Sequence, residues 1–564
     1  MQNTLIIALL TFTQFILAQN PYPQDYFRNP LGIQLVLAGT FAELRSNHFH
    51  SGLDIKTQQR EGLKIFAAAK GYVSRIKISH WGYGKALYIT HPNGYTTVYA
   101  HLKKFSPKIE ALVKNAQYEK ETFEIELFPK IQDLLIETDE IIAFSGNTGG
   151  SSGPHLHFEI RDKSERPINP MLFGIDIKDT KRPTVLSVFA YPIDDNAHIN
   201  LSNEKTKLRL IPQTNGDYTV EDIKAFGKVG FGIVTYDRQD LAANKNGVSN
   251  IQTFFNGNKN FEIDFKRFSF NETKHLNRLI DYEHFKKNKS RIQKLYLESN
   301  NPLSIYKNVN KNGYITISDS TSSIYKIRIN DYKGNDTWLT IPITGKKNDT
   351  IKPKHIKVTD HFIYADQVTN LESQNVSVYF PSNTFYDNFF IDFSVKSDTL
   401  TLHKPIVSAQ KYFTINYDIS NYTETDKDKL FIARLVGFYK NHLAYTSTTK
   451  KGNTLSARTK ILDTYVLGID AENPKIKPLN FQRGKWLSKY RYLKVSIKDK
   501  ISGIKNYRAT VNGKWILMEY DAKKNTLTHD FNDNVITETK NNLKIIVTDN
   551  VGNSSTFEAI FFRK

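Results

Sequence analysis

Ala86-Leu87-Tyr88-Ile89-Thr90-His91-Pro92-Asn93-Gly94-Tyr95 decides how the first part of the chain folds. An apolar run rich in aromatic and β-branched residues meets an Asn-Gly pair, the strongest short-range hairpin signal, so a strand turns back on itself here. Upstream, Gly71-Tyr72-Val73-Ser74-Arg75-Ile76-Lys77-Ile78 alternates apolar and polar side chains with the period of a half-buried strand. From about residue 34 to 173 such runs are separated by Gly, Asn and Pro, and the pattern predicts an antiparallel sheet structure. Residues 106–138 break the rhythm. They are charged, lack compact turns and carry Ile109-Glu110-Ala111-Leu112-Val113, and they read as an insertion. With His101 just before it and His155 soon after, the expected place of this insertion is the rim of the site.

The chain has 564 residues, which implies roughly three to five units. With 39% apolar residues, 30 Tyr and 36 Phe it carries enough anchors to fold throughout. The net charge of +20 is spread without a run of five basic residues or a zinc-finger pattern, which reads as a solvated lysine-rich surface and not as a nucleic-acid binder. Cysteine is absent, excluding disulfides, thiolate zinc sites and cysteine nucleophiles. The apolar run at residues 5–18 is short for a membrane span and is interrupted by Thr11, Thr13 and Gln14. It reads as a signal peptide over residues 1–18 cleaved after Ala18, with an uncleaved anchor as the alternative, and predicts export to the periplasm, cell envelope or medium. No later segment approaches a membrane span.

Three Asp-x-x-x-Pro segments, beginning at Asp179, Asp349 and Asp470, mark further boundaries. They divide the rest into units at 183–345, with helical material from Leu279 to Lys294, at 353–468 and at 474–564. All three read as β-sandwich modules of immunoglobulin-like type. The first and last repeat each other: Asn256-Gly257 matches Asn512-Gly513, and Asp331-Tyr332-Lys333-Gly334-Asn335 matches Asp549-Asn550-Val551-Gly552-Asn553. The two aspartate turns read as Asx-stabilised rather than calcium-binding. The middle module shows no recognisable chemistry.

The chemistry gathers in Asn47-His48-Phe49-His50-Ser51-Gly52-Leu53-Asp54, Tyr99-Ala100-His101-Leu102 and Pro154-His155-Leu156-His157. A catalytic zinc is usually held by three His or carboxylate ligands with one position open, and His50, Asp54 and His157 can supply that set. Gly52 allows a tight bend between His50 and Asp54. On a strand His155 and His157 share one face while Leu156 points to the core. The small-residue loop before them, residues 144–154, can pass close to a ligand. The competing reading is a plain connector with hydrogen-bonded strand histidines.

His-x-Gly-x-Asp at 50–54, Tyr-Ala-His-Leu at 99–102, Ser-Gly-Asn-Thr-Gly at 145–149 and Gly-Pro-His-Leu-His-Phe-Glu at 153–159 resemble, in order, the lysostaphin-type or LytM-like zinc peptidoglycan endopeptidases. The resemblance covers about residues 35–173. It implies a LytM-like, all-β catalytic domain of the duplicated hybrid type at 19–176. It further implies zinc ligands His50, Asp54 and His157, and catalytic His101 and His155 beside a zinc-activated water that hydrolyses peptide cross-links of peptidoglycan. Which of the two histidines is the base and which the oxyanion donor stays open. Two features depart from the family pattern: the long segment between Leu102 and Ser145, and His48, for which a supporting or surface role is expected. Two other functions compete, a non-catalytic LytM-like regulator of another wall hydrolase and an envelope adhesion or assembly protein whose modules bind an envelope partner. The complete set of five His and Asp positions favours the enzyme.

Overall fold

The computed structural model describes residues 21–351, 354 and 356–564. The export signal at 1–18 and Pro353, the expected start of the third unit, lie outside the described residues. The architecture is all-β, as the strand patterns predict.

The first unit runs β1 (Leu37–Gly39), β2 (Leu53–Lys56), β3 (Lys64–Phe66), β4 (Gly71–Ile78), β5 (Lys85–Thr90), β6 (Thr96–Ala100), β7 (Lys104–Phe105), α1 (Pro107–Glu119), β8 (Ile125–Leu127), β9 (Leu135–Ile136), β10 (Ile141–Phe144), β11 (His155–Arg161) and β12 (Pro167–Ile168). The larger sheet is ordered β1-β2-β11-β6-β5-β4-β8, with β12 beside β11 and β9 beside β4, and β3-β10-β7 form a smaller one. The β5–β6 hairpin forms, with Thr90 opposite Thr96. Its loop is longer than a two-residue Asn-Gly turn because the buried His91 ring is pinned, bonding Lys70 O at 2.9 Å and Thr97 Oγ1 at 2.8 Å. Gly94 still takes the left-handed turn, at φ +84°.

Strand β11 is the organising element. His157 stands opposite Asp54 of β2 on one side and Ala100 of β6 on the other. Three segments far apart in sequence therefore meet on one sheet, while Leu156 and Phe158 are fully buried on the opposite face. The chain bends at Gly52 as expected, just ahead of β2 and without a positive φ. The glycine also supplies room: a Cβ there would lie 2.3 Å from Phe158 O. Gly52→Ala is expected to push β2 off β11 and cost about 1–3 kcal/mol or more. Denaturant unfolding of the first unit measures this, and a wild-type midpoint in the variant contradicts the steric argument.

Residues 106–138 do not rim the histidines. They form α1, β8 and β9, and β8 pairs with β4 at the far edge of the sheet, four strands beyond β11. Ile109 and Val113 of α1 are buried. The outer face of α1 carries the last unit: Lys114 and Tyr118 both bond Asp533, the tyrosine at 2.7 Å, and the Tyr118 ring meets Trp515 at 5.3 Å.

Strands from Thr184–Pro192 to Asp336–Gly345 form the sheet of the second unit. The helical material predicted at 279–294 is two short helices, Leu276–Leu279 and Tyr282–Asn288, followed by a strand at Gln293–Lys294. The core of the first unit continues into the second, with Phe41 and Phe49 packed on Phe268 at ring distances of 5.2 and 5.3 Å. In the third unit strands of two five-stranded sheets and a two-stranded one share one core, and in the last unit strands of two sheets do so, each core separate from the first. The repeated aspartate turns are built alike: Asn335 N donates to Asp331 Oδ1 at 2.9 Å and Asn553 N to Asp549 Oδ1 at 2.8 Å.

Candidate metal centre

The pairing of β2, β11 and β6 brings five sequence-predicted residues together. Asp54 Oδ1 lies 2.9 Å from His50 Nε2, 2.9 Å from His157 Nδ1 and 3.3 Å from His155 Nε2, and the two nearer nitrogens are 3.1 Å apart. The His101 ring is 4.7 Å from that of His155 and 5.8 Å from that of His157. His48 is exposed beside the cavity and bonds Asn47 Oδ1 at 3.0 Å, away from this cluster.

The donor set fits a metal ion. His50 donates its Nδ1–H to Thr40 O at 2.7 Å, and His157 donates its Nε2–H to Glu159 Oε1 at 2.8 Å. Each imidazole is thereby fixed with its lone pair turned toward the other and toward Asp54, the arrangement that outer-shell partners impose on metal-bound histidines. His50, Asp54 and His157 form a group able to hold an ion.

Charge in the site is strongly shaped by burial. Burial and the neighbouring His157 and His155 push His101 down to about 3, so its ring is neutral near pH 7. Burial acts in the same direction on His157, but hydrogen bonds to Asp54 and Glu159 outweigh it and hold the ring up to about 9. Burial favours neutral Asp54, yet His50 and hydrogen bonds from His155 and His157 keep it well below the usual carboxylate range.

Glu159 is the functional residue missed in the sequence. Fully buried, it accepts from His157, from Ser51 Oγ at 2.6 Å, from Tyr83 Oη and from Arg161 Nε at 2.6 Å. The signal was there: the period of two that links His155 and His157 continues to Glu159 and Arg161 on the same face of β11.

The site opens into a cavity of about 810 Å³. Its opposite wall comes from the second unit, through Phe270, Thr273 and Arg291. Thr273 Oγ1 accepts from Phe49 N at 2.7 Å, next to His50, and Phe270 covers the Arg161 guanidinium at 4.6 Å. The last unit reaches the glycine loop from outside, where Lys523 Nζ donates to Ser151 O at 3.0 Å and to Asn147 O. Ser151 Oγ in turn bonds His155 Nδ1 at 3.1 Å.

Two imidazoles and a carboxylate converge in a cleft beside two further histidines on an antiparallel sheet, a donor set of the kind that can hold a metal ion. Residues 48–118, in the first unit, match the peptidase family M23 model. The DD-carboxypeptidase/endopeptidase Mpg of Neisseria meningitidis is 34% identical over 128 residues, 23% of this chain and 23% of its own length. The peptidoglycan DD-endopeptidase ShyB of Vibrio cholerae is 27% identical over 156 residues, 28% of this chain and 30% of its own. The chain thus spans under a third of the length of these curated relatives. Among solved structures, a zinc containing peptidase from Vibrio cholerae is 26% identical with a TM-score of 0.20, covering 26% of this chain and 40% of that one. Residues 360–470, in the third unit, match the Zu5-like domain.

Proposed function

We propose that the protein is an exported zinc metallo-endopeptidase that hydrolyses peptide cross-links of bacterial peptidoglycan. The observation that carries this reading is the convergence of His50 Nε2, His157 Nδ1 and Asp54 Oδ1 with His101 and His155 alongside. The names of the relatives, a DD-carboxypeptidase/endopeptidase and a peptidoglycan DD-endopeptidase, support the substrate class. The apolar run at 5–18 supports export.

His50, Asp54 and His157 would hold the ion. Zinc bound there would supply Lewis acidity, polarising a peptide carbonyl and bringing the pKa of a water to about 7. His101 gives its Nδ1–H to Thr148 O at 2.9 Å, which leaves Nε2 of a neutral ring as proton acceptor. His155 is held through Nδ1 by Gly153 O at 2.8 Å, and in its doubly protonated form its Nε2–H would be the donor to the developing oxyanion. One such donor is worth about 3–4 kcal/mol. Phe270, Thr273 and Arg291 bound the cavity opposite and orient the peptide.

Digestion of purified peptidoglycan with mass analysis of the released fragments tests the reading. Zinc-loaded wild type is expected to release cross-link fragments, and His155→Ala to release about 10²–10³-fold less at unchanged zinc content. Equal release from both removes His155 from the mechanism, and no release from the wild type sinks the enzyme reading.

A further inference from the structure

Three carboxylates meet at the junction of the first and second units, away from the histidine site. Asp179 lies in the segment leading into the strand Thr184–Pro192, Asp237 directly follows Ile223–Tyr236, and Asp331 directly follows Ser322–Asn330. Each offers a carboxylate oxygen, and the three lie within 4.8 Å of one another. The residues are 8%, 2% and 5% exposed. Among the described residues no Lys, Arg or His nitrogen comes within 4.0 Å of them. The lysines nearby in sequence are engaged elsewhere, Lys181 on Gln239 O at 3.4 Å and Lys333 on Asp176 at 3.2 Å.

Asp179 Oδ2 and Asp237 Oδ1, both buried, have no hydrogen-bond partner. Gln239 Oε1, buried two residues after Asp237, has none either. Without a cation, burial raises Asp179 to about 6, and burial with the neighbouring Asp179 and Asp331 raises Asp237 to about 8. Carboxylates this close must share protons or share a cation.

The last unit shows the contrast. Asp470, Asp499 and Asp549 form the corresponding cluster, but their oxygens accept from Glu472 N, Ser502 N, Ile501 N, Gly503 N, Val551 N and Asn553 N at 2.7–3.1 Å. Backbone donors satisfy the carboxylates there. At the first junction Asp179 and Asp237 each keep an oxygen to spare.

We propose that Asp179, Asp237 and Asp331 bind one calcium ion that ties the linker leaving the first unit to the second. The ligands are all hard oxygens, which select calcium or magnesium over zinc. Calcium–oxygen distances of 2.3–2.6 Å allow two ligands of one ion to stand up to about 5 Å apart, whereas the shorter magnesium bonds hold them within about 4 Å. The ion would fix the unit that supplies Phe270, Thr273 and Arg291 to the cavity wall, so calcium would rigidify the substrate side of the site without touching the histidines.

The test uses the full zinc-loaded chain, with calcium counted by equilibrium dialysis and melting followed in resin-treated calcium-free buffer, millimolar calcium or millimolar magnesium at constant ionic strength. Wild type is expected to bind one calcium more than Asp237→Asn and to melt several degrees higher with calcium than without it. Magnesium is expected to leave the melting unchanged. Because the amide keeps the shape and removes repulsion, Asp237→Asn without calcium is expected to melt at or above wild type. Equal calcium counts in wild type and variant, a wild type that binds none, or an equal magnesium shift each overturns the proposal.

Discussion

His157→Ala is expected to lose both metal and hydrolysis. Its Nδ1 is one of the three atoms that converge at the centre among the described residues, 2.9 Å from Asp54 and 3.1 Å from His50. Two ligands do not hold a catalytic zinc against water, so zinc should fall from about one per chain to a small fraction of that. Several kcal/mol of charge stabilisation go with the ion, and muropeptide release should drop by at least about 1000-fold. The variant separates ligand from proton-handling histidine, because His155→Ala keeps the three converging atoms. Metal analysis of the two purified proteins side by side is the measurement. If His157→Ala retains stoichiometric zinc, the ligand set is wrong.

Glu159→Ala is expected to act through stability as well as through the metal. The carboxylate is fully buried, and removing it leaves the Arg161 guanidinium, only 5% exposed, without its 2.6 Å partner. Breaking a buried pair on one side costs about 3–5 kcal/mol, and because Glu165 still meets Arg161 at 3.0 Å the loss is expected at the lower end. The Nε2–H of His157 also loses its acceptor, which for a metal-binding histidine lowers affinity by about 10–100-fold. Burial by itself would raise the Glu159 pKa, but Arg161 and His157 hold it well below the usual carboxylate range. The carboxylate therefore stabilises the fold fully above the ordinary glutamate value of about 4.3, and the benefit is lost as pH falls toward the depressed folded value. Thermal melting and zinc competition against a chelator, compared with wild type near neutral pH, check both effects. Unchanged melting together with unchanged zinc affinity would show that Glu159 is dispensable.

The five residues that converge were legible because each lies on or beside a strand whose alternation is visible, and because a register is a local property once the strands are known. Glu159 stands on the same alternating row, yet a Glu-x-Arg pair in a strand also reads as an ordinary ion pair, and only its burial beside His157 shows otherwise. Thr40 and Tyr83 could not be read, since nothing in a lone Thr or Tyr says which ring it will meet. Thr273 is 224 residues from the Phe49 amide it caps, and the cavity wall to which it belongs depends on how two units pack. The insertion was visible as a break in pattern, but its charge and length carry no information on which sheet edge receives it. That edge is set by the pairing of β8 with β4.

The grip of the last unit on the first has a consequence for the order in which the molecule matures. Lys85 is 4% exposed, and its ammonium is answered by Glu519 at 2.9 Å, across 434 positions of sequence. Until residue 519 has been made, the Lys85 ammonium lacks its direct partner and has only the more distant Glu110 as countercharge. The loop that carries Ser151 lacks Lys523 for the same interval. Synthesis therefore delivers every histidine of the centre long before the contacts that settle its surroundings, and a nascent chain reaches its final shape only when its last unit docks.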